Sequence, residues 1–212
     1  MKNYKLHLIR HGISEDNVIR VLGGSGRNVH LSEQGKAHLL DMNEKHTYPQ
    51  AETLFVSPMK RTIETAEVLY PNHKRILVSP LVEANYGIME GKPISEVGAF
   101  FMQWMNPDDP IVPEGSESYY SFRARSAAVI STLLEGMMKS GIFEAIAVTH
   151  GGIIASALSA IGLPEQEERM WYADNGTGYT LSTSAAMWMR SQKAEVTAIL
   201  PLGYMKPLNR EK

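Results

Sequence analysis

The 212-residue sequence contains no cysteine. This absence excludes disulfide bonds, thiolate metal ligands and a cysteine nucleophile. Chains without disulfides are typical of reducing compartments. The amino-terminal segment does not resemble a signal peptide, because Lys2, Lys5 and His7 interrupt the apolar residues of positions 1–10. We therefore expect a cytoplasmic protein.

The sequence also lacks a strong charge of either sign and a long apolar run. Its net charge is −2 and its isoelectric point is about 6.4, so no basic surface for nucleic acid or anionic membranes is expected. The longest mostly apolar stretch, residues 153–163, is shorter than the ~20 residues that span a bilayer. We expect a soluble protein that binds neither nucleic acid nor a membrane.

What the sequence has is an alternation of short strand-like segments and longer helical ones. Strand-like patterns occupy four early segments, residues 5–9, 53–57, 75–79 and 145–149. Helical patterns follow from Ser32, from Pro58 to Leu69, and over residues 151–161. Two late strands are expected near residues 185–189 and 196–200. The alternation predicts an α/β fold, a three-layer sandwich in which helices flank a mostly parallel sheet.

The segment between the third and fourth strands has a different composition. Residues 91–115 contain four prolines and an aromatic cluster, namely Phe100, Phe101 and Trp104. A long helical pattern follows over about residues 116–139, with four apolar side chains on one face, namely Phe122, Val129, Leu133 and Met137. The chain length suits one domain. We predict a single domain over residues 1–212, with a small helical insertion over the active site at about residues 91–140.

Residues able to perform chemistry follow each of the four early strands. Arg10, His11 and Gly12 come after the first strand, and Ser57 to Arg61 after the second. Glu83 follows the third strand, and residues 149–152, Thr-His-Gly-Gly, follow the fourth. Ligands of open α/β sheets bind beyond the carboxyl ends of the strands. We therefore expect two histidines, two arginines and one glutamate at one rim of the sheet.

Together these side chains can transfer a phosphoryl group. Arg10 and Arg61 can hold phosphoryl oxygens through bidentate hydrogen bonds, and they keep a nearby imidazole neutral. The neutral ring of His11 can attack phosphorus to give a phosphohistidine. His150 can donate a hydrogen bond to the charge that develops on the oxygens. Glu83 can protonate the departing alcohol and then activate water. The arginines would lower the pKa of Glu83, whereas burial and a bound phosphate dianion would raise it.

Each of these residues has an ordinary structural interpretation when taken alone. A histidine at a strand end is usually a hydrogen-bonded structural residue, and an arginine in a first helical turn usually lies in solvent. Glu83 could be a capping or solvated carboxylate. The hypothesis depends on the whole set occurring together.

With these residues in view, the chain resembles the histidine phosphatase superfamily, in its phosphoglycerate-mutase-like branch. Residues 8–12, Leu-Ile-Arg-His-Gly, resemble the opening motif, in which the histidine is phosphorylated, and Asn17 matches an asparagine that contacts phosphate. Ser57-Pro58 with Arg61 resembles the second motif, and residues 83–91 resemble the acid/base segment. Residues 149–152 resemble the last motif, with a second histidine and Gly151 beside it. The resemblance implies His11, Glu83 and His150 as catalytic residues, phosphate binding by Arg10, Asn17, Arg61 and Gly151, and no metal ion or cofactor.

Two departures from the family pattern bear on the substrate. Cofactor-dependent mutases resemble one another in carrying an arginine directly after the acid/base glutamate, where this sequence has Ala84. Their arginine pair for a substrate carboxylate is also absent between Glu83 and Glu114. These departures favour a phosphatase, with water as the acceptor, over a phosphoglycerate mutase. The segment 27–30, Arg-Asn-Val-His, stands where an Asp-x-x-Leu pattern is usual, so we expect that loop to differ in its shape or contacts.

Several alternatives remain open from the sequence. His11, His150 and Glu83 could instead form a two-histidine, one-carboxylate metal site, which the nearby arginines disfavour. The chain could be a phosphate-binding module with little catalysis. The aromatic cluster could line a leaving-group pocket or simply pack the insertion onto the sheet, and Arg20 and Arg27 could bind a second anion or lie in solvent. A small phosphate ester is the expected partner, its identity is open, and a homodimer is compatible with the sequence.

Overall fold

The computed structural model describes residues 2–106, 108 and 110–205. Met1 and residues 206–212, at the ends of the predicted domain, lie outside these ranges, as do positions 107 and 109 within the predicted insertion. The strands are β1 (Asn3–Arg10), β2 (Thr53–Val56), β3 (Arg75–Leu77), β4 (Glu144–Thr149), β5 (Gly162–Leu163), β6 (Gly178–Ser184) and β7 (Ala194–Leu200). The helices are α1 (Glu15–Val18), α2 (Glu33–Lys45), α3 (Lys60–Leu69), α4 (Ile94–Trp104), α5 (Tyr119–Ser140), α6 (Gly151–Ile161) and α7 (Ala185–Ser191).

One sheet contains all seven strands in the order β3-β2-β4-β1-β6-β7-β5. The strands from β3 to β1 are mutually parallel, and β6 runs antiparallel to both of its neighbours. The predicted α/β fold with a mostly parallel sheet is therefore confirmed. No helix in the described ranges is long and apolar enough to cross a membrane.

Alternating side chains of the central strands build a hydrophobic core on each face of the sheet. Leu6 and Leu8 of β1 face the core that α5 and α6 cover, whereas Ile9 faces the core beneath α2 and α3. β4 alternates in the same way, with Ala147 on the first side and Val148 on the second. The helices thus form the outer layers of the predicted three-layer sandwich.

Three of the predicted helices lie close to their expected positions, but one of them begins two residues later than predicted. The hydroxyl of Ser32 accepts a hydrogen bond from the backbone N–H of Gly35 and caps α2, and α6 occupies residues 151–161 as predicted. Helix α3 begins at Lys60, however, and not at Pro58. The backbone N–H of Ser57 still bonds to the carbonyl of Val148, so the chain continues in strand geometry for one residue beyond β2 before it turns.

The predicted strand near residues 185–189 is wrong, because these residues form helix α7. Ala, Met and Arg favour a helix, and the hydroxyl of Ser184 accepts from the backbone N–H of Met187 to cap it. The strand lies just before it, in β6, and was not predicted because its sequence, GYTLSTS, has few aliphatic residues. Every position of β6 is nevertheless buried. The third strand is also shorter than predicted, since a 3₁₀ turn begins at Ser79 with Pro80 next in the chain.

In its described residues, the region between β3 and β4 contains two α-helices in addition to two short 3₁₀ helices. Helix α4 carries the aromatic cluster, and α5 begins after Ser118, whose hydroxyl caps it. All four side chains predicted for the apolar face of α5 are buried, namely Phe122, Val129, Leu133 and Met137. Helix α5 lies on the sheet beside α6, so it belongs to an outer layer of the sandwich. The assignment of a single domain with an insertion at about residues 91–140 stays a prediction.

Candidate active site

The strand order places three of the predicted motifs side by side. β4 lies between β1 and β2, and the register pairs Arg10 with Thr149 and Val56 with Val148. His11, Ser57 and His150 therefore leave the sheet at nearly the same level. The backbone N–H of His11 bonds to the carbonyl of Thr149 at 2.9 Å, which joins the two histidine segments directly.

His11 is buried with a hydrogen-bonding pattern that selects one tautomer. Its Nδ1 lies 2.7 Å from the carbonyl oxygen of Gly12, which can only accept, so Nδ1 donates its proton there. Burial lowers the pKa of His11 well below its usual value, and the positive charges of Arg61 and Arg10 lower this pKa further. The ring is therefore neutral near pH 7, with the lone pair on Nε2.

His150 is the second buried histidine, and its ring centroid lies 5.3 Å from that of His11. Its Nε2 lies 2.9 Å from the hydroxyl of Ser57. Burial lowers the pKa of His150 well below its usual value, and the positive charge of Arg61 lowers this pKa further. This ring is therefore also neutral. When the Ser57 hydroxyl donates to Nε2, the ring proton is on Nδ1. That Nδ1 is buried and has no hydrogen-bond partner among the described residues.

The two predicted arginines are held by backbone carbonyls. Arg10 donates from Nη1 to the carbonyl of Ala173 at 2.8 Å and its guanidinium lies 4.8 Å from the centre of the Tyr172 ring. Its Nε is buried and lacks a hydrogen-bond partner in the described part of the chain. Arg61 is 2% exposed and donates to the carbonyls of Arg27 and Gly24. Both cations are thus oriented before any ligand binds.

Glu83 lies at the other side of the same site. Its two carboxylate oxygens accept from the backbone N–H groups of Ala84 and Gly152, at 3.0 and 3.1 Å. Burial raises the pKa of Glu83 above its usual value, although these hydrogen bonds and the two arginines oppose the rise. The effect of burial therefore outweighs that of the arginines, and the pKa of Glu83 is raised, as a general acid requires.

Asn17 and Gly151 also lie beside these groups. The side-chain oxygen of Asn17 accepts from the backbone N–H of Ser14 and from Asn175, so its amide nitrogen is the group available to a ligand. Gly151 opens helix α6 and is in close contact with Arg10, because a side chain there would lie 3.2 Å from the arginine Nε. The structure thus brings all seven predicted site residues to one region of the sheet.

The loop after α1, whose carbonyls accept from Arg61, is joined to α1 by an ion pair that the sequence did not predict. Arg27 donates from Nε and Nη2 to the two carboxylate oxygens of Asp16, at 2.9 and 2.7 Å. Asp16 is buried, whereas Arg20 is exposed. Arg27 is therefore paired with a buried carboxylate while about a third of its side chain stays exposed, and Arg20 lies in solvent.

A cavity of about 260 Å³ opens from these residues toward α4 and α5. His11, Arg61 and Glu83 line one end of it. Phe101 and Trp104 line it as well, whereas Phe100 is exposed and lines a different cavity. Trp104 is also packed on Tyr119 and Phe122 of α5, so the aromatic cluster both lines a pocket and packs the region onto the domain.

The described residues contain no cluster of three histidine or carboxylate side chains arranged to hold a metal ion. The geometry therefore offers no support for the two-histidine, one-carboxylate site. The sequence interpretation also missed Asn175, whose amide donates to the carbonyls of His11 and Gly12, and Glu168, which lines the cavity. Asn175 stands in a turn-like segment, Asp-Asn-Gly, so its only signal was that of a loop.

Comparison with known proteins identifies the family. The model of the histidine phosphatase superfamily (branch 1) matches residues 6–191. The chain therefore belongs to this superfamily, as its motifs indicated.

Individual relatives are distant. Fructose-2,6-bisphosphatase TIGAR B of Danio rerio is 24% identical over 170 residues, which cover 77% of this chain and 63% of the relative's length. Among solved structures, phosphoglycerate mutase from Bacillus anthracis is 17% identical with a TM-score of 0.73, covering 93% of this chain and 92% of the other. Mycobacterial glucosyl-3-phosphoglycerate phosphatase is 21% identical with a TM-score of 0.73, covering 93% and 98%. These structures share the fold with this chain.

Proposed function

We propose that this protein is a metal-independent phosphomonoesterase that acts on a small phosphate ester through a phosphohistidine on His11. One observation carries the proposal. Two buried nitrogen donors without hydrogen-bond partners in the described residues, Arg10 Nε and His150 Nδ1, lie beside the neutral ring of His11. Buried donors are normally satisfied, and a phosphoryl group would satisfy both of these.

In the first step, the lone pair of His11 Nε2 forms a bond to phosphorus as the ester P–O bond breaks. Glu83 gives its proton to the departing alkoxide oxygen, which leaves as a neutral alcohol. Arg10 and Arg61 hold the phosphoryl oxygens, and His150 Nδ1 donates to the charge that they carry in the transition state. Asn17 and the backbone N–H of Gly151 supply further donors.

In the second step, Glu83 as a carboxylate takes a proton from water, and the resulting hydroxide oxygen attacks phosphorus. The bond between phosphorus and His11 Nε2 breaks, inorganic phosphate leaves, and the imidazole returns to its neutral state. Glu83 is again protonated, so the enzyme is ready for another ester. No step requires a metal ion or a cofactor.

A mutase would use the same phosphohistidine and transfer it to a second alcohol. Ala84 occupies the position after Glu83 and is buried, so it offers no cation there for an anionic acceptor. This supports water as the acceptor, whereas the phosphoglycerate mutase and the non-catalytic binding module remain the alternatives. A cytoplasmic location and a homodimer stay predictions.

The proposal is tested by trapping the intermediate. A brief incubation with a ³²P-labelled phosphomonoester, followed by rapid quenching in alkali, should leave acid-labile label on the peptide that contains His11. His11→Ala should lose both the label and at least about 10³-fold in kcat. His46→Ala, which removes a histidine at the end of α2, is the matched control and should keep both. Hydrolysis by His11→Ala at near the parent rate would overturn the mechanism.

The metal-independent chemistry has a separate test. Activity should survive exhaustive chelation, because the proposed steps use only protein side chains and water. Loss of activity on chelation, with recovery on adding zinc, would instead support a metal site at His11, His150 and Glu83.

A further inference from the structure

The cavity beyond the reacting groups has a continuous aromatic wall. Phe101 and Trp104 of α4 stack with their ring centroids 5.9 Å apart, and Tyr86 meets both of them edge-on at 5.5 and 5.1 Å. Tyr119 and Phe122 extend the wall onto α5, since both contact Trp104 and both line the cavity. The end of the cavity that would receive the leaving group is therefore predominantly apolar.

The charged groups along this cavity offer little to a second anion. Arg10 and Arg61 lie at the phosphoryl end, and Arg27 is paired with Asp16. Arg123, next to the cavity, is paired with Glu168 at 3.3 Å. Arg169 lies at the rim, with its side chain 77% exposed and paired with Glu167.

The leaving-group end carries an acidic group instead. Glu168 lines the cavity, and its carboxylate oxygens accept hydrogen bonds from the hydroxyls of Ser156 and Tyr119, both at 2.6 Å. Its side chain is only 17% exposed, so its charge is weakly screened by solvent. Because this carboxylate is paired with Arg123, the pair has no net positive charge, and a carboxylate or second phosphate on the substrate would gain no free cation from it.

From this wall and this charge distribution, we propose that the substrates are monophosphates of uncharged alcohols that carry a bulky apolar or aromatic group, and not bisphosphates or phosphorylated acids. The inference rests on the proposed phosphatase activity and specifies its substrate class. The phosphoryl group occupies the end with Arg10, Arg61 and His11. The ring of the leaving alcohol lies against Phe101 and Trp104.

The test compares esters whose leaving alcohols have similar acidity, so that differences report binding and not intrinsic reactivity. 3-Phenylpropyl phosphate should exceed n-propyl phosphate in kcat/KM by about 10-fold or more, the gain expected from burying a phenyl ring. A propyl phosphate that ends in a carboxylate should have a lower kcat/KM than n-propyl phosphate. Propane-1,3-diol bisphosphate should also have a lower kcat/KM than n-propyl phosphate.

Two adjacent phenylalanines supply a matched pair of variants. Phe101→Ala should reduce the ratio of kcat/KM between 3-phenylpropyl and n-propyl phosphate by about 5-fold or more. Phe100→Ala removes an exposed ring that lines a different cavity, so it should leave the ratio unchanged. Glu168→Gln should raise kcat/KM for the carboxylate ester relative to n-propyl phosphate.

The outcomes separate this inference from the proposed function. Hydrolysis with a phosphohistidine on His11 but a preference for the bisphosphate or the carboxylate ester would overturn the substrate class alone. An equal loss of the ratio in Phe100→Ala and Phe101→Ala would also overturn it. Failure to hydrolyse any of the esters, with no label on His11, would overturn the proposed function itself.

Discussion

Single hydrogen bonds decide the roles available to the two active-site histidines. The carbonyl of Gly12 requires a proton on His11 Nδ1 and so leaves the lone pair on Nε2, the atom that we propose as the nucleophile. The hydroxyl of Ser57 can instead donate to His150 Nε2, which leaves Nδ1–H as a donor. Two neutral rings with centroids 5.3 Å apart can therefore act in opposite senses, one attacking phosphorus and the other stabilising its oxygens.

Glu83 should matter most for substrates with poor leaving groups. Glu83→Gln removes the transferable proton but keeps a similar shape, so kcat should fall by about 10²–10⁴-fold for an alkyl phosphate. The first step for a nitrophenyl phosphate should be far less affected, because nitrophenolate leaves without protonation. Burst kinetics would isolate this step. Equal losses of first-step rate for both esters would contradict the role as a general acid.

The pH dependence of kcat/KM follows from the same two groups. His11 must be neutral to attack, and its lowered pKa places the acid limb below pH 6.5. Glu83 must be protonated for the first step, and its raised pKa places the basic limb above pH 4.5. Glu83→Gln should lose the basic limb and keep the acid limb. Retention of the basic limb in that variant would assign it to another group.

At the scale of elements, the loop after α1 holds in place the side chain of Arg61, which belongs to helix α3. The carbonyls of Gly24 and Arg27 accept from the Arg61 guanidinium, and the Asp16–Arg27 ion pair holds that loop to α1. The loop is also held by Glu90, which accepts from the backbone N–H of Gly26 at 3.2 Å. The segment in which the sequence departs from its family is thus part of the support for the arginine that we propose to bind phosphate.

Arg27→Ala should therefore weaken catalysis without touching the substrate. Loss of the ion pair leaves Asp16 buried and unpaired, so we expect kcat/KM to fall about 10-fold and the free energy of unfolding to fall by about 2 kcal/mol. Steady-state kinetics and urea denaturation measure the two effects.

Arg20 provides the matched control for Arg27. It lies in the same segment, is exposed and has a positive φ of 57°, a conformation that asparagine tolerates well. Arg20→Asn should leave both kcat/KM and stability near the parent values. An equal effect of Arg20→Asn and Arg27→Ala would show that general loop disturbance, and not support of Arg61, is responsible.

At the scale of the whole molecule, three buried histidines make stability depend on pH. Burial is the largest cause that lowers the pKa of His7, His11 and His150 in the folded protein. Unfolding lets each ring bind a proton at its usual pKa, so the stability they support is present above about pH 6.5 and is lost as the pH falls. Glu83 acts in the opposite direction, because its raised pKa favours the folded state at low pH.

The three histidines outnumber Glu83, so we expect net destabilisation on acidification. The free energy of unfolding should fall between pH 7.5 and pH 5.5, with a slope of up to about 1.4 kcal/mol per pH unit for each histidine that is protonated only on unfolding. Urea denaturation at several pH values measures this slope. His150→Gln should reduce the slope by the contribution of one histidine. A free energy of unfolding that stays constant or rises over this range would contradict the expectation.

The success of sequence interpretation varied among the elements for identifiable reasons. Strands β1 and β4 and helices α2, α5 and α6 have strong periodic or apolar patterns, and they were located within a few residues. β6 was missed because it is stabilised by pairing with β1 and β7, and its serines and threonines gave no apolar signal. α7 was mistaken for a strand because a short apolar run has the same appearance in both conformations.

The sequence alone determined which side chains could act on phosphate, and in what order they follow the strands. Residue types and their spacing near strand ends are local properties, so His11, Arg61, Glu83 and His150 could be selected without a structure. Only the tertiary structure decided their pKa values, tautomers and supporting contacts. Those depend on burial and on partners distant in sequence, such as Ser57 beside His150, and on an aromatic wall assembled from α4, α5 and Tyr86.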